Sequence, residues 1–230
     1  MTAISTHFVD NEALDGLTAK ELLTHALTIA HVNGDIAAVS SFGAESVVLL
    51  HLIAQIKPET PILFLETNKL FPETLTYMHT VQHHLGLQDV RLLAPAKMDV
   101  DREDPQGTLW FTNADRCCFI RKVLPLQHAL LPFRAWINGR KRFQSSSRAS
   151  IPLIENDGAR IKYNPLARWD ASDLETYIVQ HNLPRHPLTA HGYTSIGCAP
   201  CTALPVDGSN GRSGRWAGQD KLECGIHYTI

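Results

Sequence analysis

The sequence predicts an α/β fold in which a parallel sheet is covered by helices on both faces, and three observations carry that expectation. Short apolar segments, Ile36-Ala37-Ala38-Val39, Pro61-Ile62-Leu63-Phe64-Leu65 and Val90 to Leu93, alternate with helix-like stretches. Strands separated by helices pair in parallel and are buried on both sides. The first two strands run into polar tips, Ser40-Ser41 and Glu66-Thr67-Asn68, and ligands of such sheets bind beyond the carboxyl ends of the strands. The first tip, through Phe42-Gly43-Ala44-Glu45-Ser46, leads into the apolar run Val47 to Ile56, which reads as strand, tight loop and helix. Backbone N–H groups at a helix start lack intrahelical partners and the macrodipole adds positive character, so a phosphate or sulfate is favoured there. Ser40 and Ser41 supply hydroxyl donors, and Gly43 permits close backbone approach. The loop lacks the Gly-Lys-Ser/Thr ending that holds Mg-bound triphosphate, so a different phosphate-like group is expected.

The remaining elements follow in order. Thr18-Ala19-Lys20-Glu21 has the form of a capping box and opens an amphipathic helix that should stop near Asn33-Gly34. A helix is expected from about Pro72 to Leu85, ahead of the third strand. Lys97 to Arg116 is polar and aperiodic, and reads as a long functional loop. A helix from Cys118 to about Leu130 and a strand Ala135 to Asn138 come next. The loop from Gly139 to Arg148 gathers Arg140, Lys141, Arg142 and Arg148 among hydroxyl and amide groups. Taken alone, a solvated basic loop is the simpler reading of it. Ile151 to Ile154 and Ile161 to Tyr163 flank Asn156-Asp157-Gly158, a hairpin signal, and Asp170 caps a helix running to about His181. Residues 1–204 form one domain in this reading. Residues 205–230 form a flexible arm, because Gly208, Gly211, Gly214 and Gly218 interleave with Ser209, Asn210 and Ser213. The arm ends in Glu223-Cys224-Gly225-Ile226-His227.

Composition bounds the function. A chain of 230 residues with 44% hydrophobic content can bury one full core. A formal net charge of −2 gives no general drive toward nucleic acid, so any anion site must be local. No apolar run approaches the roughly 18 residues of a spanning helix, and the start, with Asp10, Glu12 and Asp15, does not resemble a signal peptide. The expectation is a soluble, cytoplasmic protein with neither a membrane nor a nucleic acid as partner.

Five cysteines in a reducing compartment argue for metal binding or catalysis over disulfides. Cys117 and Cys118 are adjacent, and Cys198-Ala199-Pro200-Cys201 is a Cys-x-x-Cys. A disulfide between neighbours is strained, since their Cα atoms lie only about 3.8 Å apart. Four thiolates can close a tetrahedral zinc site or hold a 4Fe–4S cluster. A contiguous Cys-Cys fits the separate irons of a cluster better. If Cys118 lies in the first turn of a helix, Lys122 shares its face, between a cluster and an anionic ligand; a surface lysine is the plain alternative. Cys224 is left over, and a basic cleft would raise its thiolate fraction. His227 could contribute charge or a proton there, or be an exposed terminal residue without a role.

Together these features resemble the assimilatory adenylyl-sulfate and phosphoadenylyl-sulfate reductases of the adenine nucleotide alpha-hydrolase-like (PP-loop) group. The resemblance rests on Ser41-Phe42-Gly43-Ala44-Glu45, Leu70-Phe71-Pro72-Glu73-Thr74, Cys117-Cys118 with Arg121-Lys122, Gln144-Ser145 with Arg148, Asn164-Pro165-Leu166, Gly192-Tyr193 through Cys201, and Glu223-Cys224-Gly225-Ile226-His227. It implies a PP-loop fold in which Cys117, Cys118, Cys198 and Cys201 hold a 4Fe–4S cluster. Lys122 would link cluster and substrate, while Ser40, Ser41 and Gly43 line the nucleotide pocket. Leu65 and Thr67 would lie near the adenosine, and Lys141, Arg142 and Arg148 would face the phosphosulfate. The four-cysteine set marks the branch that typically uses adenylyl sulfate. Two departures stand out: Leu65-Glu66-Thr67-Asn68 replaces the usual Leu-Asp-Thr-Gly, and Arg140-Lys141-Arg142-Phe143 replaces a commoner Leu-Arg-Arg pattern.

The reaction so implied is attack of Cys224 thiolate on the sulfur of adenylyl sulfate, which leaves an S-sulfocysteine and expels AMP. Thioredoxin or glutaredoxin then releases sulfite. Three alternatives stay open: the 3'-phosphorylated substrate, alone or as well; a PP-loop ATP-dependent tRNA thiolation enzyme; and a non-catalytic zinc or cluster module. Assembly as a homo-oligomer is left open too.

Overall fold

The computed structural model describes residues 16–31, 34–158, 160–205, 212–219 and 221–227. Its centre is a six-stranded sheet of order β3-β2-β1-β4-β6-β5. The strands are β1 (Ile36–Ser40), β2 (Ile62–Leu65), β3 (Val90–Leu93), β4 (Ala135–Ile137), β5 (Ile154–Asp157) and β6 (Arg160–Tyr163). All neighbouring pairs are parallel except β5 with β6. Chain order reverses between β1 and β4, which makes the carboxyl ends of those strands the expected ligand crevice.

The helices are α1 (Ala19–Thr24, continued by a π-helical stretch His25–Ala30), α2 (Ser46–Ile56), α3 (Pro72–Leu85), α4 (Lys97–Glu103), α5 (Leu109–Thr112), α6 (Ala114–Cys118), α7 (Leu124–Ala129) and α8 (Ala171–Gln180). The capping box expected at Thr18 with Glu21 forms, and the cap expected at Asp170 forms too, as a capping box with Asp173. Alternation along each strand sends its side chains to opposite faces. Ile36, Ala38, Ile62, Phe64 and Ile137 pack with α1, α2, α3 and α8, and Ala37, Val39, Leu63, Leu65 and Trp136 pack with Leu126 and Leu130. Ile226 from the tail joins the second face.

Several expectations are corrected. The first helix ends at Ala30, short of Asn33-Gly34, and Asn33 lies outside the described residues. Lys97 to Arg116 is not an irregular loop but carries three short helices. No apolar periodicity announces α4, because it buries none of its residues and is laced by exposed Lys97–Asp101 and Arg102–Asp99 pairs. The helix expected from Cys118 begins at Ala114, where the Asn113 side chain accepts from Arg116 N–H at 2.9 Å. A π-helical stretch, Phe119–Val123, then joins α6 to α7, so Cys118 ends an α-helix instead of starting one. The hairpin is displaced toward the C-terminus: Asp157 belongs to β5, its carboxylate accepting from Trp136 Nε1 at 2.8 Å.

Candidate active site

Ser40 closes β1, and its hydroxyl accepts from Phe42 N–H at 3.1 Å. Phe42 sits in the left-handed region (φ 47), fully buried and edge-on to Phe64 at 4.9 Å. A bulky residue is strained in that conformation and persists only where its surroundings hold it. The loop is therefore a rigid turn, with Ser41 exposed at its tip. A Cβ on Gly43 would stand 3.0 Å from the Ile196 carbonyl oxygen. Close approach is needed here for packing against the chain that leads to Cys198. At the start of α2, the Glu45 carboxylate accepts from Lys141 Nζ at 2.6 Å and Gln144 Nε2 at 2.7 Å.

Thr67, two residues past β2, is fully buried, with its hydroxyl 3.2 Å from Cys198 Sγ. The Cys-x-x-Cys forms a 3₁₀ turn pinned on two sides. Ala199 N–H donates to the Lys69 carbonyl at 2.7 Å, and Trp216 N–H donates to the Cys201 carbonyl at 3.1 Å. Cys117, Cys118, Cys198 and Cys201 thereby line one small cavity together with Lys122. All five cysteines are free thiols. Burial pushes the Cys118 thiol up to about 11. Burial opposes ionisation of Cys198 as well, but Lys122, the Thr67 hydroxyl and Arg215 outweigh it and bring that thiol below its usual range. Burial likewise opposes the charge on Lys122, yet Cys198, Cys224 and Cys118 around it raise its pKa.

The donor set is four soft sulfurs, as iron–sulfur and zinc sites require. Among the described residues, no three His, Cys, Asp or Glu side chains are grouped to hold a single metal ion.

Cations line the other side of the crevice. Arg140 pairs with Glu155, and Lys162 lies 3.5 Å from Glu155 and 3.8 Å from Asp157. Arg148 grips the Glu223 carboxylate through Nε at 2.6 Å and Nη2 at 2.7 Å. Arg212 stands 3.7 Å from Glu223. His227 stacks on Trp136, with centroids 5.6 Å apart and planes 3° from parallel, while its carbonyl accepts from Lys162 Nζ at 3.2 Å. Its buried Nδ1 has no hydrogen-bond partner among the described residues. Burial, with Arg140, Arg148, Lys162 and Arg212 nearby, holds the imidazole neutral, well below its ordinary range. His227 is thus no exposed terminal side chain.

The structure accordingly gathers Thr67, Lys122 and all five cysteines around one region, with Lys141 and Arg148 at its cationic side. Leu65 packs in the apolar cluster under Ile226. Arg142 is turned elsewhere, its Nε donating to the Ile151 carbonyl at 2.9 Å. Sequence reasoning gives no role to Lys162, Arg212 or Arg215, and quotes Glu223 only as part of the terminal motif. Arg212-Ser213-Gly214-Arg215-Trp216 was absorbed into the glycine-rich arm, although two arginines and a tryptophan are foreign to a linker. Gly208, Ser209, Asn210 and Gly211 of that arm lie outside the described residues.

Residues 35–204 match a family model described as the phosphoadenosine phosphosulfate reductase domain. The chain is 52% identical over 195 residues to an adenosine 5'-phosphosulfate reductase of Mesorhizobium japonicum, covering 85% of this chain and 77% of the relative. It is 42% identical over 193 residues to a phosphoadenosine 5'-phosphosulfate reductase of Gloeobacter violaceus, covering 82% and 80%. Among solved structures, a phosphoadenylyl-sulfate reductase from Candida auris in a phosphate complex aligns with TM-score 0.72 at 27% identity, over 88% of this chain and 99% of that one. Likeness of this extent, in sequence and in fold, leaves one assignment: the chain belongs to the family of adenylyl-sulfate and phosphoadenylyl-sulfate reductases.

Proposed function

We propose that this protein reduces adenylyl sulfate to sulfite and AMP in sulfate assimilation, by way of an S-sulfocysteine on Cys224 that thioredoxin or glutaredoxin resolves. The observation that carries the reading is the situation of Lys122, which lines the four-cysteine cavity and lies close enough to Cys198, Cys224 and Cys118 for their charges to raise its pKa. A single cation thus joins the four-thiol cavity to the fifth sulfur. Cys117, Cys118, Cys198 and Cys201 would hold a 4Fe–4S cluster. Such a cluster, when bound, supplies a compact negative body that keeps the Lys122 ammonium charged and oriented.

The nucleotide lies over the loop Ser40–Ser41–Gly43, with its anionic end toward Lys122, Arg212 and the cations beyond β4. Cys224 thiolate attacks the sulfur of the bound phosphosulfate anhydride in line. A sulfur–sulfur bond forms, the sulfur–oxygen bond to AMP breaks, and the departing electron pair stays on the phosphate. Fixed cations facing that developing charge supply the electrostatic stabilisation that usually dominates such steps. A dithiol carrier then attacks Cys224 Sγ, and sulfite leaves with the electron pair. A second thiol of the carrier attacks the mixed disulfide, which returns Cys224 reduced and the carrier oxidised. The two electrons come from the carrier. Nucleotide and carrier must reach the same sulfur, so the tail opens between the steps.

Incubation with adenylyl sulfate in the absence of reductant, followed by peptide mass spectrometry, should find a sulfonate on Cys224. Unmodified Cys224 in iron-replete protein would overturn the mechanism, as would sulfite formation by Cys224→Ser. The relative in Gloeobacter violaceus, named for the 3'-phosphorylated nucleotide, favours a second reading in which that substrate is used too. A comparison of kcat/KM for the two nucleotides separates them.

A further inference from the structure

The tail after Leu204 is anchored at chemically unequal points. Ile226 is a buried apolar plug. Lys221, its own side chain 9% exposed, pairs with Asp115, whose carboxylate is 88% exposed and so screened by solvent. The contact at Glu223, directly before Cys224, is of another kind. Its carboxylate accepts two parallel bonds from Arg148, the geometry in which a guanidinium holds a carboxylate most firmly, and both side chains are at most 10% exposed. The Ser147 and Ser145 hydroxyls approach the same oxygen at 3.4 and 3.5 Å. The bonding does not stop at Arg148. Its Nη1 donates to Gln144 Oε1 at 2.5 Å, and Gln144 Nε2 donates to Glu45 Oε2 at 2.7 Å. Glu45 in turn opens α2, beside Gly43 in the loop after β1.

We propose that Glu223 is a positioning residue whose pairing with Arg148 latches Cys224 into the site and, through Gln144 and Glu45, ties the tail to the loop after β1. The importance of the latch for sulfonate transfer rests on the reading of Cys224 as nucleophile; the latch itself does not. A disturbance of the loop that moves Glu45 is transmitted to the tail through bonds in which each partner is already committed. Opening of this bidentate pair loosens the segment at Cys224 locally, while the Lys221–Asp115 pair, the Ile226 plug and the His227–Trp136 stack still hold the tail on either side of it.

The test reads docking without any substrate. The plateau rate of Cys224 alkylation by iodoacetamide at high pH, followed by peptide mass spectrometry, removes differences in thiol ionisation. Glu223→Gln, nearly isosteric, should raise that rate tenfold or more, and Gln144→Ala should raise it severalfold. The exchanged pair Glu223→Arg with Arg148→Glu should return it toward the wild-type value. A Glu223→Gln rate within twofold of wild type overturns the latch. An exchanged pair as reactive as Glu223→Gln overturns the assignment of Arg148 as its partner, and an unchanged Gln144→Ala overturns the link to the loop. If wild-type protein forms no sulfonate adduct while these rates behave as stated, the proposed reaction fails and the latch stands.

Discussion

Replacing Asp104 by Asn should destabilise the fold severely, and the reason lies in one buried pair beside the cysteines. Arg121 Nη2 donates to Asp104 Oδ2 at 2.7 Å, with side chains only 4% and 1% exposed. A second arm of the guanidinium, Nη1, donates to the Thr67 carbonyl at 3.0 Å, and Thr67 carries the hydroxyl on Cys198. Asparagine still offers an oxygen to Leu109 N–H, which Asp104 Oδ1 now accepts at 2.9 Å. What is lost is the charge facing Arg121. Stripping one partner from a buried ion pair costs about 3–5 kcal/mol, since the remaining charge stays desolvated. For a chain of this length each kcal/mol moves the midpoint about 2–4 °C, so a fall of roughly 6–20 °C is expected. Cys117 lies close enough to Arg121 to feel its charge, so an ionised cluster ligand would soften the loss toward the lower figure. Circular dichroism melts of wild type, Asp104→Asn, Arg121→Met and the double variant would measure it. The double variant should melt above Asp104→Asn, because it no longer buries a lone charge. A midpoint within about 2 °C of wild type for Asp104→Asn would refute the reasoning.

Two further outcomes can be checked. His186 is fully buried, its Nδ1 accepting from Leu188 N–H at 3.2 Å and its Nε2 paired with Thr74 Oγ1 at 3.0 Å, and burial lowers its pKa to about 4. The folded state therefore prefers the neutral ring. That preference is fully present above the unfolded value near 6.5 and is lost as pH falls toward 4, amounting to about 3 kcal/mol; denaturant titrations between pH 7 and 4 should show the decline, and His186→Gln should flatten it. Cys117→Ser and Cys198→Ser should each lose bound iron by colorimetric assay. Their activity should drop by more than the roughly 10–100-fold that changes to outer-shell partners cost, and full iron with full activity would exclude both as ligands.

β1 and β2 were legible because they are apolar and run into polar tips, and Pro72 to Leu85 and Val90 to Leu93 are helix and strand with the bounds read from the sequence. Residues 97–116 were not, since α4 carries exposed ion pairs in place of an apolar stripe. The departure at Asn68 is resolved by its backbone. Asn68 takes φ 58 and its N–H donates to Glu66 Oε1 at 2.8 Å. Asparagine is among the few residues besides glycine that adopt the left-handed region readily, and the glutamate accepts the turn's N–H with its own carboxylate. The pairing of Cys117-Cys118 with the Cys-x-x-Cys was visible as residue types. Its partner surface was not, because the Trp216–Cys201 clamp joins segments 15 residues apart through a backbone bond that no side-chain pattern encodes.

A charge argument connects the two halves of the site. Sequence alone reads Arg140, Lys141, Arg142 and Arg148 as one solvated basic loop, yet in the fold three of them have a carboxylate: Glu155 for Arg140, Glu45 for Lys141 and Glu223 for Arg148. Burying such cations without partners would cost several kcal/mol each, so the carboxylates are what allow the guanidinium and ammonium groups to stand desolvated in fixed positions before any ligand arrives. Preorganised charge of this kind stabilises a developing anion better than mobile surface lysines could. One of the three carboxylates, Glu223, belongs to the tail that also brings Arg212, Arg215 and Cys224. Docking of the tail therefore sets Arg212 beside the same carboxylate that Arg148 holds, so these cations are fixed in the arrangement that also brings Cys224, the proposed nucleophile, close to Lys122.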